Sequence, residues 1–174
     1  MSKDTSTITK EQVADMAVEG LTSGLNCGEC VYDAFVRAGL LDVPSKTRAA
    51  CVAFGGGIGL TGNTCGALFS AILTNSMVYG RADPWQAPDM AARRAQIETL
   101  CRRYNNMVHR FQKENGYLTC KELCQSVGGW ASEKRPENCQ QVVRRAAIMA
   151  YEFLMMAPED AAQLPYGENM GGMK

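Results

Sequence analysis

Apolar residues recur every three or four positions along most of the chain, the spacing of amphipathic helices rather than strands. The first such segment runs from about Lys10 to Ser23, with Val13, Met16, Ala17, Gly20 and Leu21 on one face. A second covers Cys27 to about Leu40, with Val31, Ala34, Phe35 and Ala38 in register. Residues Pro44 to Ala53 predict a short third helix with proline in its first turn. The stretch Phe54-Gly55-Gly56-Gly57-Ile58-Gly59-Leu60-Thr61-Gly62 is too rich in glycine for a helix interior. A fourth helix, Cys65 to about Tyr79, is small-residued at its start and apolar on several sides. That composition predicts a central, buried position.

Pro84 and Pro88 bracket a loop carrying Trp85, and the longest helix follows from about Asp89 to Asn115. Its face reads Ile97, Leu100, Cys101, Tyr104, Met107, Val108, Phe111, and Gly116 ends it. A short helix at Cys120 to Ser126 precedes a polar loop with Gly128, Gly129 and Pro136. The last helix is expected from Cys139 to about Ala157, with Val142, Ala146, Met149, Phe153 and Met156 aligned. No strand-like alternation of useful length occurs. The fold expected is all-α: an irregular bundle of five or six helices with a Gly-rich loop before a central helix. At 174 residues the chain is one domain's length. A single helical, cysteine-rich domain is expected over 1–157, and 158–174 is expected to lie on the surface or fray.

Composition narrows the function classes. Lysine plus arginine number 18 and aspartate plus glutamate number 18, so no global charge draws the chain to nucleic acid or anionic lipid. The start, Met1-Ser2-Lys3-Asp4-Thr5-Ser6, is polar and leads into no apolar signal core. The longest apolar stretch, Ala146 to Ala157, is broken by Glu152 and cannot span a membrane. A cytoplasmic chain is expected, with neither nucleic acid nor membrane as partner; a homo-oligomer is compatible with the sequence. There are eight cysteines against one histidine. In a reducing compartment, clustered cysteines serve metal binding or redox chemistry more often than structural disulfides. Packing as small hydrophobes accounts for about half of them.

Four cysteines share a second property. Cys27 follows Asn26, Cys65 follows Asn63-Thr64, Cys120 follows Thr119 and Cys139 follows Asn138, all N-cap residue types. Three of these caps have Glu29, Glu122 or Gln141 at capping-box spacing. The pattern places four thiols in the first turns of four helices, where free N–H groups and the helix dipole favour thiolate. Such thiols ionise as low as roughly pH 3.5–7.5 against an ordinary 8.5. They are suited to converge on one anionic centre such as an iron–sulfur cluster. Cys30, Cys51, Cys101 and Cys124 fall inside helices on or near apolar faces.

The remaining motifs are weaker. Cys27-Gly28-Glu29-Cys30 is a CxxC, but the strand–helix–strand context of a thioredoxin dithiol is missing. Val31 stands where haem attachment needs histidine. Cys120 and Cys124 are four apart and share a helix face, too far downstream to complete a zinc ribbon. No strand precedes the glycine loop, which argues against a dinucleotide site. Its residues Gly55, Gly56 and Gly57, with Gly66, instead suit a backbone that approaches a cofactor closely, its N–H groups free to bond cluster sulfurs. His109 beside Arg110 reads as solvated. The long helix carries six basic and three acidic residues, which reads as a solvated face, with docking of an acidic redox partner as the alternative. The ten methionines fall at core spacing.

The order Asn26-Cys27, Phe54-Gly55-Gly56-Gly57-Ile58-Gly59, Thr64-Cys65-Gly66-Ala67-Leu68-Phe69-Ser70, Gly116-Tyr117-Leu118-Thr119-Cys120-Lys121-Glu122-Leu123 and finally Cys139 carries a resemblance. It resembles the C-GCAxxG-C-C family of redox-active proteins, named for a CGAxxG signature and four cysteines. The similarity covers roughly Val13 to Leu154 and maps the family's cysteines onto Cys27, Cys65, Cys120 and Cys139. Ser70 stands where the signature ends in glycine, and Cys30 and Cys124 are additional. The family is similar to the iron–sulfur part of split-Soret cytochromes, which implies a cluster without haem. It implies no substrate.

Three functions follow as expectations. The first is an electron-transfer or redox-accessory protein with a protein redox partner, its iron–sulfur cluster held by Cys27, Cys65, Cys120 and Cys139, with Cys30 or Cys124 as alternates. The second is a thiol–disulfide oxidoreductase that uses Cys27 and Cys30 and needs no cofactor. The third is a zinc-stapled helical adaptor.

Overall fold

Small residues line the faces where the helices meet. Ala14, Ala17 and Gly20 are buried on α1 (Lys10–Thr22), and Gly28 and Ala34 on α2 (Cys27–Arg37). Gly66, Ala67 and Ala71 are buried on α3 (Gly66–Tyr79). The structure, a computed structural model, describes residues 8–174. Further along come α4 (Met90–Asn115), α5 (Cys120–Gln125), α6 (Arg135–Met155) and α7 (Pro158–Ala161). Helix α3 packs on α2, α4 and α6, while α1 lies across α2 and α6. The helix expected to be central is therefore central. Among the described residues there is no strand, only one isolated bridge between Thr64 and Thr119. The all-α bundle stands.

The core joins Val13, Val31, Phe35, Leu68, Met107, Phe111, Val143 and Met149 with the alanines of the crossings. Two buried polar groups fix the register of α3. Ser70 accepts a hydrogen bond from the Tyr32 backbone N–H at 2.9 Å, tying α3 to α2. Asn75 donates to the Ala150 carbonyl at 3.0 Å, tying α3 to α6. The serine that departs from the CGAxxG pattern thus sits in the α2–α3 contact. Arg103 is 3% exposed and donates to the carbonyls of Phe153 and Met156. Its guanidinium lies 3.9 Å from the Tyr79 ring centre, so it closes the C-terminal end of α6 as a buried cation.

Three sequence expectations are corrected. The helix expected at Pro44–Ala53 is two 3-10 segments, Ser45–Ala50 and Val52–Phe54. Its bonds run three residues back, as from Cys51 to Arg48, the pattern short pieces adopt. Helix α6 begins at Arg135 rather than Cys139, because Pro136 occupies its first turn, where the missing N–H costs nothing. The C-terminal segment lies mostly on the surface, strapped to α4. Arg102 donates to the Leu164 carbonyl, Asn106 to that of Pro165 and Asn105 to that of Glu168. His109 joins the same strap through Glu168, so it is neither freely solvated nor beside the thiols.

Candidate functional site

Two glycines bring the starts of α2 and α3 together. A Cβ on Gly66 would lie 2.5 Å from the Phe54 carbonyl and 2.7 Å from Cys27 Sγ. A Cβ on Gly28 would lie 2.6 Å from the Cys51 carbonyl. Only bare backbone fits at both places, and the consequence is that the Cys27 sulfur rests against the first residue of α3. A second device aligns Cys65 with Cys120. The Thr64–Thr119 bridge carries bonds from Cys65 N to Leu118 O at 2.9 Å and from Cys120 N to Asn63 O at 2.7 Å. Each strand of that bridge delivers a cysteine just past it. Cys139 enters from α6, whose Asn138 side chain donates to the Leu123 carbonyl and so fastens α6 to α5.

The result is a small interior void of about 30 Å³ lined by Cys27, Cys65, Cys120, Cys124 and Cys139. Ala67, Leu123, Val142 and Val143 supply its apolar walls. All four cysteines singled out by their capping neighbours line it, and Cys124 joins them. Cys120 Sγ and Cys124 Sγ stand 4.0 Å apart. Cys30 does not line this void: its thiol donates to the Asn26 carbonyl at 3.0 Å and sits under Gly20. Cys51 and Cys101 also lie elsewhere.

The electrostatics differ from expectation. Asn26 caps α2 by accepting from the Gly28 and Glu29 N–H groups, with Glu29 closing the capping box. Thr119 likewise caps α5. Cys65, however, is itself the N-cap of α3, and Cys139 lies in the second turn of α6. Burial pushes the Cys65 thiol up to about 12, and the charge of Cys27 adds to the rise. The Ala67 and Leu68 amides offset part of it without closing a cap hydrogen bond. Cys120 is raised by burial and then by Cys124, and Cys139 by burial and then by Cys124. Desolvation and mutual repulsion outweigh the helix dipoles here. The thiols of Cys65, Cys120 and Cys139 are thereby held toward the protonated form.

A bound metal ion would reverse that repulsion and displace the protons. The donors are all sulfur and the walls apolar, which suits an inorganic centre and leaves no room for an organic one. Among the described residues, no three His, Cys, Asp or Glu side chains are drawn tightly enough to hold a single ion. Cys27, Cys120 and Cys139 also border a groove of about 590 Å³, so the sulfurs are not confined to the small void.

The glycine loop acts mainly on itself. Gly59 N bonds Ala53 O, Leu60 N bonds Gly55 O, Gly62 N bonds Gly56 O and Asn63 N bonds Gly57 O. Of the four glycine amides expected to face sulfur, only that of Gly55 is bonded within the loop, to the Val52 carbonyl at 3.5 Å; the bonds above use the carbonyls of Gly55, Gly56 and Gly57 instead. Gly57, at φ +74°, is pressed against the Asn63 backbone, and Gly55 against the Asn26 side chain. Gly55 and Gly56 line the groove, and Gly66 alone of the four expected glycines touches a cysteine sulfur. The Phe54 and Phe69 rings stack with centres 3.4 Å apart, pinning the loop to α3. The basic side of α4 is largely engaged: Arg93 lies over Trp85, Arg102 holds the tail and Arg110 pairs with Glu114 and Glu152.

A family profile described as "Putative redox-active protein (C_GCAxxG_C_C)" matches residues 25–153. The chain belongs to the C_GCAxxG_C_C family. All five thiols around the void fall inside the matched span, as do the glycine loop and the Thr64–Thr119 bridge. No curated protein and no solved structure matches the chain. No helix among the described residues is long and apolar enough to cross a membrane. The redox assignment of the C_GCAxxG_C_C family agrees with a site whose donors are exclusively thiols. Sequence reasoning overlooked the bridge, which leaves no period-two pattern because it is one residue pair long.

Proposed function

We propose that this chain is an electron-transfer or redox-accessory protein that holds an iron–sulfur cluster. Cys27, Cys65, Cys120 and Cys139 would be its ligands, with Cys124 as an alternate that can replace one of them. The observation that carries the reading is the gathering of these thiols from α2, α3, α5 and α6 around one interior void. Ligands of one tetrahedral zinc stand close about a single point, and no group that tight occurs among the described residues. A cluster supplies reversible electron uptake. The protein's part is to hold the sulfurs, exclude water with Leu123, Val142 and Val143, and soften the negative charge with the Ala67 and Leu68 amides. A protein redox partner and a cytoplasmic setting belong to this proposal.

Anaerobic purification followed by absorption spectroscopy and iron, sulfide and zinc analysis tests it. Visible charge-transfer bands with iron and sulfide in the sample are expected. Stoichiometric zinc in a colourless protein contradicts the cluster and supports the zinc-stapled adaptor instead. A second reading rests on the 4.0 Å between Cys120 and Cys124. With no metal at all, a dithiol enzyme could use that pair as well as Cys27 with Cys30.

A further inference from the structure

The groove beside the thiols is of a different kind from the void. It measures about 590 Å³, within the range of small-molecule sites (about 300–1,000 Å³) and beyond what an inorganic centre fills. A second depression of about 480 Å³ shares Gly56, Leu60, Cys120 and Trp130 with it. Leu21, Leu25, Val52 and Leu60 make one wall aliphatic. Trp130 is 54% exposed, with the Arg135 guanidinium over one face of its ring, and Leu60 is 73% exposed. Such large apolar side chains at the mouth of an apolar groove are costly unless something covers them.

The polar groups are few and of one sign. Arg135 is the one charged residue lining the first groove and Lys121 the one lining the second, so no carboxylate faces either. Arg135 Nε donates to the Trp130 carbonyl at 2.6 Å, and the guanidinium lies 4.3 Å from the Trp130 ring centre. It also lies against the Cys139 thiol. The Gly56 amide makes no hydrogen bond among the described residues. The groove therefore offers an aromatic plane, an aliphatic wall and N–H donors without acceptor carboxylates. Electron-rich oxygens on a flat apolar ring match that set; a cation does not.

We propose that this groove binds a quinone-type molecule, a flat, uncharged conjugated ring bearing carbonyl oxygens. The ring stacks on Trp130, the aliphatic wall covers its other substituents, and Arg135 with the Gly56 amide serves its oxygens. The choice of a quinone among flat carbonyl compounds rests on the redox reading above. Binding at this place sets the ring beside Cys27, Cys120 and Cys139.

The test uses the full chain, purified anaerobically, and duroquinone, whose fully methylated ring cannot alkylate thiols. Calorimetry is expected to show saturable binding that weakens about tenfold in Trp130→Ala, the order of a lost aromatic stack. Trp85→Ala, an exposed tryptophan outside the groove, is expected to bind as the wild type does. Durene, the same methylated ring without oxygens, is expected to bind more weakly. No saturable binding, unchanged affinity in Trp130→Ala, or equal affinity for durene each overturns the proposal. Iron and sulfide are measured on the same samples. A loaded protein that ignores duroquinone removes this site and leaves the cluster; an unloaded protein that binds it through Trp130 removes the cluster and keeps the site.

Discussion

Each thiol's role follows from what surrounds its sulfur. Cys27, Cys65, Cys120 and Cys139 face one void, so changing any one of them to serine is expected to abolish or remodel the centre. Cys51→Ser and Cys101→Ser are expected to leave metal content unchanged. At Cys51, 1% exposed, the buried hydroxyl is expected to cost roughly 1–3 kcal/mol of stability. Metal and sulfide per chain across the variants, with urea midpoints, check this sorting; loss tracking Cys51 or Cys101 contradicts it. A pH effect follows at the thiols outside the void. Burial pushes Cys30 up to about 12 and Cys51 up to about 11. The folded chain then holds these protons more tightly than the unfolded one, whose thiols ionise near about 8.5. Their stabilisation is complete below the unfolded value and is lost as pH rises through it toward the folded values. Urea midpoints are expected to fall between about pH 8 and about pH 10.5, less steeply in Cys51→Ala. The cap-residue pattern holds at Cys27 and Cys120, where Asn26 and Thr119 do cap, whereas Cys65 and Cys139 line the same void without Thr64 or Asn138 capping a helix. Their protonation was not legible, since burial is decided by α6 and α5 closing over the sulfurs, far away in sequence.

At the scale of elements, the helices were legible because their apolar positions repeat every three or four residues regardless of context. The start of α6 was not, because Pro136 reads equally as a loop breaker and as a first-turn residue. Only the Lys134 to Asn138 turn decides between them. That shift moves Cys139 off the helix start, yet α6 still delivers it, because Asn138 bonds across to α5 instead of capping its own helix. The α2–α3 crossing was half legible: the glycines announced close approach but not which backbones meet. Gly66→Ala tests that crossing. Its methyl would meet the Phe54 carbonyl and the Cys27 sulfur, both held by their own elements. A stability loss of about 1–3 kcal/mol is expected, with the centre displaced or lost. Denaturant melts and metal content read the two effects separately. A variant as stable and as loaded as the wild type would show that α2 and α3 can separate freely.

Over the whole molecule, one system holds the bundle and the proposed function adds a second. The first is the apolar core of Val13, Phe35, Phe111 and Met149, whose cluster reaches Cys65, Leu123, Val142 and Val143 of the void but lies mostly outside it. A partly exposed ion cluster accompanies it, where Glu152 on α6 meets Lys10 on α1 and Arg110 on α4. The second would be the proposed centre, joining α2, α3, α5 and α6 at sulfurs that repel one another once ionised. A guest that binds those thiolates only in the folded chain stabilises it by mass action. Because most of the core lies outside the void, stripping the centre is expected to leave the helices in place at room temperature, unlike a zinc finger. It is also expected to cost at least about 3 kcal/mol, a melting shift of about 6–12 °C for a chain of this size. The segment from Gly116 through α5 is expected to loosen first, since α5 has only six residues and two of them are cysteines of the void. Circular dichroism melts before and after anaerobic chelation measure the shift, and hydrogen exchange at Cys120–Gln125 locates the loosening. An unchanged melting temperature after proven loss of the metal would mean that the thiols carry the guest without being braced by it.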